Sequence, residues 1–194
     1  MRLFSFVLCL CLLSGAMIPV AALAADDQDV AETRNAATLD SLLGDLARQS
    51  DPAKAQRIAR QVSRKWLDSG SETINLLMDW SARAFREKNS PLAEDLLTQV
   101  VTLAPDYAEG WNRRATLYYT QGNLGRSLAD IERVLQLEPR HFGALSGLGS
   151  ILQRTGSDRK ALETYFKVLE IYPANRPAQK AVEELEEELS GKGA

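Results

Sequence analysis

Hydrophobic and polar positions fall into two regimes along this chain. Between Arg2 and Asp26 no residue is charged, and Leu3 to Leu13 is almost continuously apolar. Further on, apolar residues come in short blocks separated by polar turns, and the blocks repeat. Val100-Val101-Thr102-Leu103-Ala104-Pro105, Val134-Leu135-Gln136-Leu137-Glu138-Pro139 and Val168-Leu169-Glu170-Ile171-Tyr172-Pro173 are one phrase written three times, with closing prolines 34 residues apart. A fixed period of roughly 20 to 50 residues marks a repeat architecture, in which each unit buries its apolar surface against its neighbours.

Superposing 74–107, 108–141 and 142–175 tests whether the prolines coincide by chance. Column 4 then holds Leu77, Trp111 and Leu145; column 8 holds Ser81, Ala115 and Gly149; column 11 holds Ala84, Tyr118 and Leu152. Column 20 holds Ala93, Ser127 and Ala161, column 24 Leu97, Ile131 and Tyr165, and column 27 Val100, Val134 and Val168. Small residues in columns 8 and 20 let two antiparallel helices approach closely, while the large columns fill the space between them and the next unit. The pattern predicts helix A over columns 2–14 and helix B over columns 18–30. Gly122 and Gly156 stand where a left-handed residue ends helix A, Lys88 takes that place in the first unit, and the prolines stand where helix B must stop. Asp106 followed by Glu109 predicts a capping box at the second helix A. Column 7 carries Trp80, Arg114 and Leu148. Burying an unpaired Arg is costly, so Arg114 either runs its stem to the surface, the favoured alternative, or pairs with an acidic neighbour.

These columns resemble the tetratricopeptide repeat (TPR) pattern of W-x2-L-G-x2-Y, A-x3-F and P. The resemblance implies an all-α fold, an antiparallel helix-pair (TPR) solenoid with a C-terminal capping helix. TPR 1 would occupy 74–107, TPR 2 108–141 and TPR 3 142–175. One period earlier, Leu43, Leu46, Ala47 and Ala59 fall in columns 4, 7, 8 and 20, which predicts a degenerate TPR-like helix pair over 39–73. Its helix A is short, 39–48, because Gln49-Ser50-Asp51-Pro52 breaks it early, and its helix B runs over 52–67. After Asn175-Arg176-Pro177, a capping helix over 176–190 places Val182, Leu185 and Leu189 on one stripe. Glu183, Glu184, Glu186, Glu187 and Glu188 form the solvated face that a terminal unit needs. Residues 190–194 are expected to fray.

The apolar N-terminal regime reads as an export signal. Arg2 gives a short basic region, an apolar stretch follows, Gly15 and Pro19 break it, and small residues end in Ala22-Leu23-Ala24, which predicts a signal peptide at 1–24 cut after Ala24. An uncleaved anchor facing the periplasm is the alternative, since about 20 apolar residues span a hydrocarbon core. Residues 25–38 are polar and predict a mobile leader. Cys9 and Cys11 both lie in the apolar stretch, so the mature chain has no disulfide and no Cys-based nucleophile or metal site. With no glycosylation sequon either, the expected compartment is a Gram-negative periplasm.

A net charge of −3 gives no electrostatic reason to expect nucleic acid. One His and no Gly-rich phosphate loop make a poor catalytic inventory, so neither enzyme activity nor a cofactor or metal is expected. His141 stands at a unit junction as a structural or surface imidazole, and the Asp106/Glu109 and Asp130/Glu132 pairs have local roles in capping and solubility. The resemblance implies a concave face lined by helix A. Columns 2, 5, 9 and 12 place Asn75, Met78, Phe85, Glu109, Asn112, Thr116, Tyr119, Ser146, Ser150 and Gln153 there, with Ala82 and Gly143 between them. Met78, Phe85 and Tyr119 would hold apolar side chains; Asn112, Thr116, Ser150 and Gln153 would bond the backbone of an extended segment. The Lys/Asn clamp of chaperone-tail binders is absent, because Met78, Ala82, Gly143 and Gly147 occupy its columns. The expected function is an exported scaffold or adaptor that binds a protein or peptide segment. An accessory subunit of an envelope enzyme or transporter is the alternative, and a hydrolase with an atypical site a remote one. A membrane enters only if the N-terminal segment stays uncleaved, and self-association is left open.

Overall fold

Turn chemistry sets the helix boundaries. In the computed structural model, which describes residues 38–191, Gly122 and Gly156 take φ of +76° and +72° and Lys88 takes +59°, each two residues past the last residue of a helix A. Asn89 and Asn123 then cap the following helix B, their side chains accepting from the backbone N–H of Leu92 and Arg126. Three helix pairs result: α3 (Glu72–Arg86) with α4 (Ser90–Leu103), α5 (Ala108–Thr120) with α6 (Leu124–Leu137), and α7 (Phe142–Arg154) with α8 (Asp158–Ile171). The B helices end at Leu103, Leu137 and Ile171, as the period predicts. Each pair packs internally and each B helix packs on the next A helix, so the fold is an all-α helix-pair solenoid. The expected export signal at 1–24, the leader up to residue 37 and the last three residues lie outside the described residues.

Two local expectations are corrected. Helix α5 is capped at Tyr107 without a side-chain bond, so Asp106 and Glu109 form no capping box there. Column 34 stands before α5, α7 and the C-terminal helix, where His141 caps α7 through Nδ1 and Asn175 caps the C-terminal helix through Oδ1. Arg114 does not run out to solvent. Its Nε and Nη2 each donate to the Asp130 carboxylate at 2.8 Å, the bidentate geometry in which a mostly buried guanidinium is stable. At the far end α9 (Arg176–Gly191) buries Ala178, Val182 and Leu185 against Leu145, Ala161, Tyr165 and Val168. Ser190, expected to fray, is still helical and bonds the Glu187 carbonyl.

The first helix pair forms α1 over 38–48, one residue earlier than expected, and α2 over Pro52–Leu67. Its surroundings are not those of a unit stacked ahead of α3. Leu46 packs with Ala55, Ala59, Ala174 and Tyr172, and Leu43, Val62 and Trp66 pack with Phe142 and Ile171. Trp66 stacks on His141 with ring centroids 4.0 Å apart, and the Tyr107 hydroxyl donates to the Leu67 carbonyl at 2.9 Å. Along α2 the partners therefore run from the 172–175 turn, past 141–142, to Tyr107. These are the three connections from helix B to the next helix A. A 16-residue helix is about 24 Å long, enough to strap two repeat spacings together. Small residues in columns 8 and 20 suit this pair to close helix contact, but the apolar stripe Ala55–Ala59–Val62–Trp66 meets the row of turns rather than α3.

Candidate functional groove

Helices α3, α5 and α7 turn successive faces into one groove. Between α3 and α5 lies a hollow of about 170 Å³ lined by Ser81, Ala82, Phe85, Arg86, Leu97, Arg113 and Thr116. A second, of about 150 Å³ between α5 and α7, is lined by Asn112, Ala115, Thr116, Tyr119, Ser127, Ile131, Gly143, Ala144, Gly147 and Ser150. Thr116 lines both, so the two adjoin. Ser127 in column 20 shows how the local sequence opens this space: its Oγ donates to the Ala115 carbonyl at 2.8 Å, locking α6 close under α5 without filling the face above.

Of the ten residues predicted for the face, Phe85, Asn112, Thr116, Tyr119 and Ser150 line these hollows. Phe85 is exposed, and Tyr119 is half-buried with the Arg154 guanidinium 5.2 Å from its ring centroid. Neither pocket contains Ser146 or Gln153 in its lining; Ser146 spends its hydroxyl on the Phe142 carbonyl. Ser150 donates to the Ser146 carbonyl and also meets the Tyr165 hydroxyl at 3.1 Å.

Three predicted residues are not on an open face. Met78 is 6% exposed, enclosed with Ile74, Leu97, Val100 and Leu117. Asn75 accepts from both the backbone N–H and hydroxyl of Ser69, pinning the α2–α3 turn. Glu109 is 5% exposed and ties three side chains together: Arg113 at 2.6 Å, Asn112 at 2.8 Å and His141 Nε2 at 3.1 Å. Because His141 Nδ1 accepts from the Ala144 N–H, its proton sits on Nε2 and points at Glu109. Burial pushes the Glu109 carboxyl up, but the His141 hydrogen bond and the Arg113 charge outweigh it and hold it below its ordinary value. His141 is 2% exposed, with both ring nitrogens engaged and one face on Trp66. The departures have separate causes: α4 and α5 close over Met78, Ser69 occupies Asn75, and Glu109 is covered by His141, on which Trp66 stacks.

Sequence reasoning missed Arg86 and Arg113, which flank the first hollow from columns 13 and 6. The signal was available, since both columns adjoin the ridge of columns 9 and 12 on a helical surface. No carboxylate lines either hollow. A third opening, of about 500 Å³, lies away from the groove between the start of α2 and the α8–α9 turn. Among the described residues no group of three or more His, Cys, Asp or Glu side chains is placed to hold a metal, and no helix is long and apolar enough to cross a membrane.

Comparisons with known proteins agree with this architecture. Residues 112–176 match the family model described as tetratricopeptide repeat. A TPR repeat-containing protein of Rhizobium etli is 46% identical over 205 aligned positions, covering 98% of this chain and 97% of its own length. Among solved structures, the first TPR of Spaghetti (RPAP3) bound to the HSP90 peptide SRMEEVD matches with a TM-score of 0.59 at 20% identity, over 62% of this chain and 95% of that one. The Sgt2 TPR domain from Aspergillus fumigatus matches with a TM-score of 0.58 at 22% identity, over 63% and 83%.

Proposed function

This chain belongs to the tetratricopeptide repeat family, and from that premise we propose that it is a non-enzymatic scaffold that holds an extended segment of another protein in the groove of α3, α5 and α7. The observation that carries this reading is the pair of adjoining hollows sharing Thr116, with Phe85 in the first and Tyr119 in the second. Two rings one repeat apart suit a strand-like ligand that places apolar side chains in successive hollows, while Asn112 and Thr116 offer polar atoms between them. Arg86 beside the first hollow, whose lining holds no carboxylate, favours an acidic residue next to the ligand's apolar one, while Arg113 is already paired with Glu109. The peptide bound by the similar RPAP3 domain supports peptide capture on this kind of fold. The Lys/Asn clamp that the family resemblance implies for chaperone-tail binders is not carried over, because Met78, Ala82, Gly143 and Gly147 stand in its columns.

The proposal includes export, with cleavage after Ala24 and residence in the periplasm of a Gram-negative envelope, on the strength of the ordered basic, apolar and small-residue regions at 1–24. A binding role rather than a catalytic one is supported by His141, whose two nitrogens are already engaged in capping α7 and in the Glu109 cluster. A photo-crosslinking residue in place of Thr116, introduced in the native cell, tests the function. Capture of a discrete protein from that position, and not from Gln99 on the exposed side of α4, supports the groove. Equal labelling from both positions counts against it.

A further inference from the structure

Columns 3, 7 and 19 of the second unit reach back to the preceding repeat. They hold Gly110, Arg114 and Arg126. A Cβ on Gly110 would lie 2.7 Å from Val100 Cγ1, Arg114 Nη1 reaches Thr98 Oγ1 at 3.5 Å, and Arg126 pairs with Glu94 at 2.8 Å. Their partners run down α4 from Val100 to Glu94. In the capping helix the corresponding Ala178 and Val182 are buried on α8. In the first unit the same columns carry Leu76, Trp80 and Leu92, and among the described residues no preceding repeat covers them, because α1 and α2 strap the turns instead. These three large apolar side chains are 46%, 47% and 45% exposed. A terminal unit ordinarily turns a polar face outward, as α9 does with its glutamates. The leading face of α3 does the reverse.

We infer that this leading face is a homodimer interface, in which α3 packs antiparallel on α3 of a second copy about a two-fold axis. The reason for choosing a second copy is the charge pattern. Glu72 and Arg83 lie eleven positions, about three turns, apart and therefore on the same flank of the Leu76–Trp80 stripe. Their midpoint, between 77 and 78, nearly coincides with that of Leu76 and Trp80, at 78. A two-fold axis through that point sets Leu76 against Trp80 of the other copy and brings Arg83 level with Glu72 of the other copy on the same side, twice over. Neither Glu72 nor Arg83 has an ion-pair partner among the described residues. An isologous contact requires this self-complementarity, in which one patch supplies both halves of every pair. The contact also continues the mode of packing that joins one repeat to the next.

Sedimentation equilibrium of the exported chain, with circular dichroism as the folding control, tests the inference. The expected result is a concentration-dependent dimer. Trp80→Glu shifts it to monomer, while Phe85→Ala, in the groove, leaves it dimeric whether or not the groove binds a ligand. Glu72→Arg and Arg83→Glu each place like charges opposite one another and weaken the dimer at least about tenfold, and the double reversal restores it. A wild-type chain that stays monomeric to about 100 µM overturns the inference and assigns the face to a different occupant. A dimer indifferent to Trp80→Glu, or one that the double reversal fails to restore, overturns it as well.

Discussion

Lys88 sits at φ +59° in the turn where the other two units use glycine. A left-handed conformation costs a residue with a Cβ about 1–2 kcal/mol, partly offset by the greater freedom glycine has when unfolded. Lys88→Gly is therefore expected to stabilise the protein by about 0.5–1 kcal/mol, a rise of about 1–3 °C in melting temperature. The period made this strain legible in advance, because it put Lys88 in a glycine column. Glu109 was not legible in the same way. Its column belongs to the groove in an isolated array, and it is buried because His141, capping α7 and stacked on Trp66, closes over it together with Arg113. Its carboxyl is held below the usual range, so its contribution to stability is present above that range and is lost as the pH falls through the depressed value. Glu109→Gln should be less stable than wild type at about pH 7 and should lose less stability on acidification to about pH 3. Melting curves at the two pH values check this, and parallel losses in both proteins would assign the acid sensitivity elsewhere.

Between helices, columns 8 and 20 behave as their residue sizes demand. Ala161 is fully buried, and a Cβ at Gly149 would lie 2.8–3.0 Å from three atoms of the Tyr165 ring. Gly149→Leu must push that ring out of the cluster formed with Val168 and Leu145, a cost of about 1–3 kcal/mol or more. Because each repeat leans on its neighbours, α9 should loosen with α7 and α8. An unchanged thermal melt would show that the helices are in a different register. The same columns were less informative for α1 and α2. Leu46, Ala55 and Ala59 fit a repeat by size, and size alone cannot distinguish a neighbour that is another helix face from one that is a row of turns. Trp66 carried the missing information, since a bulky ring in column 27, where the other units have Val, needs the wider space that His141 and Phe142 provide.

For the molecule as a whole, the period decided the fold because three in-register units constrain every helix and most helix contacts at once. The groove was half legible. Phe85, Asn112, Thr116, Tyr119 and Ser150 follow from column position, whereas Met78 is lost to the α3–α4–α5 core, Asn75 to the turn before α3, and Glu109 to the His141 cluster that Trp66 covers. What remains on the open face is a short run of two hollows with a ring in each, and the account stands on those rings acting as anchors. Its most direct test is the affinity of the protein captured from residue 116 for wild type and for the Phe85→Ala/Tyr119→Ala double variant, measured by titration calorimetry. Each anchor truncation is expected to cost about 1–2 kcal/mol, so the double variant should bind at least about 30-fold more weakly while its circular dichroism and melting temperature barely move. Binding as tight as wild type by a correctly folded double variant would contradict the groove and place recognition elsewhere on the solenoid.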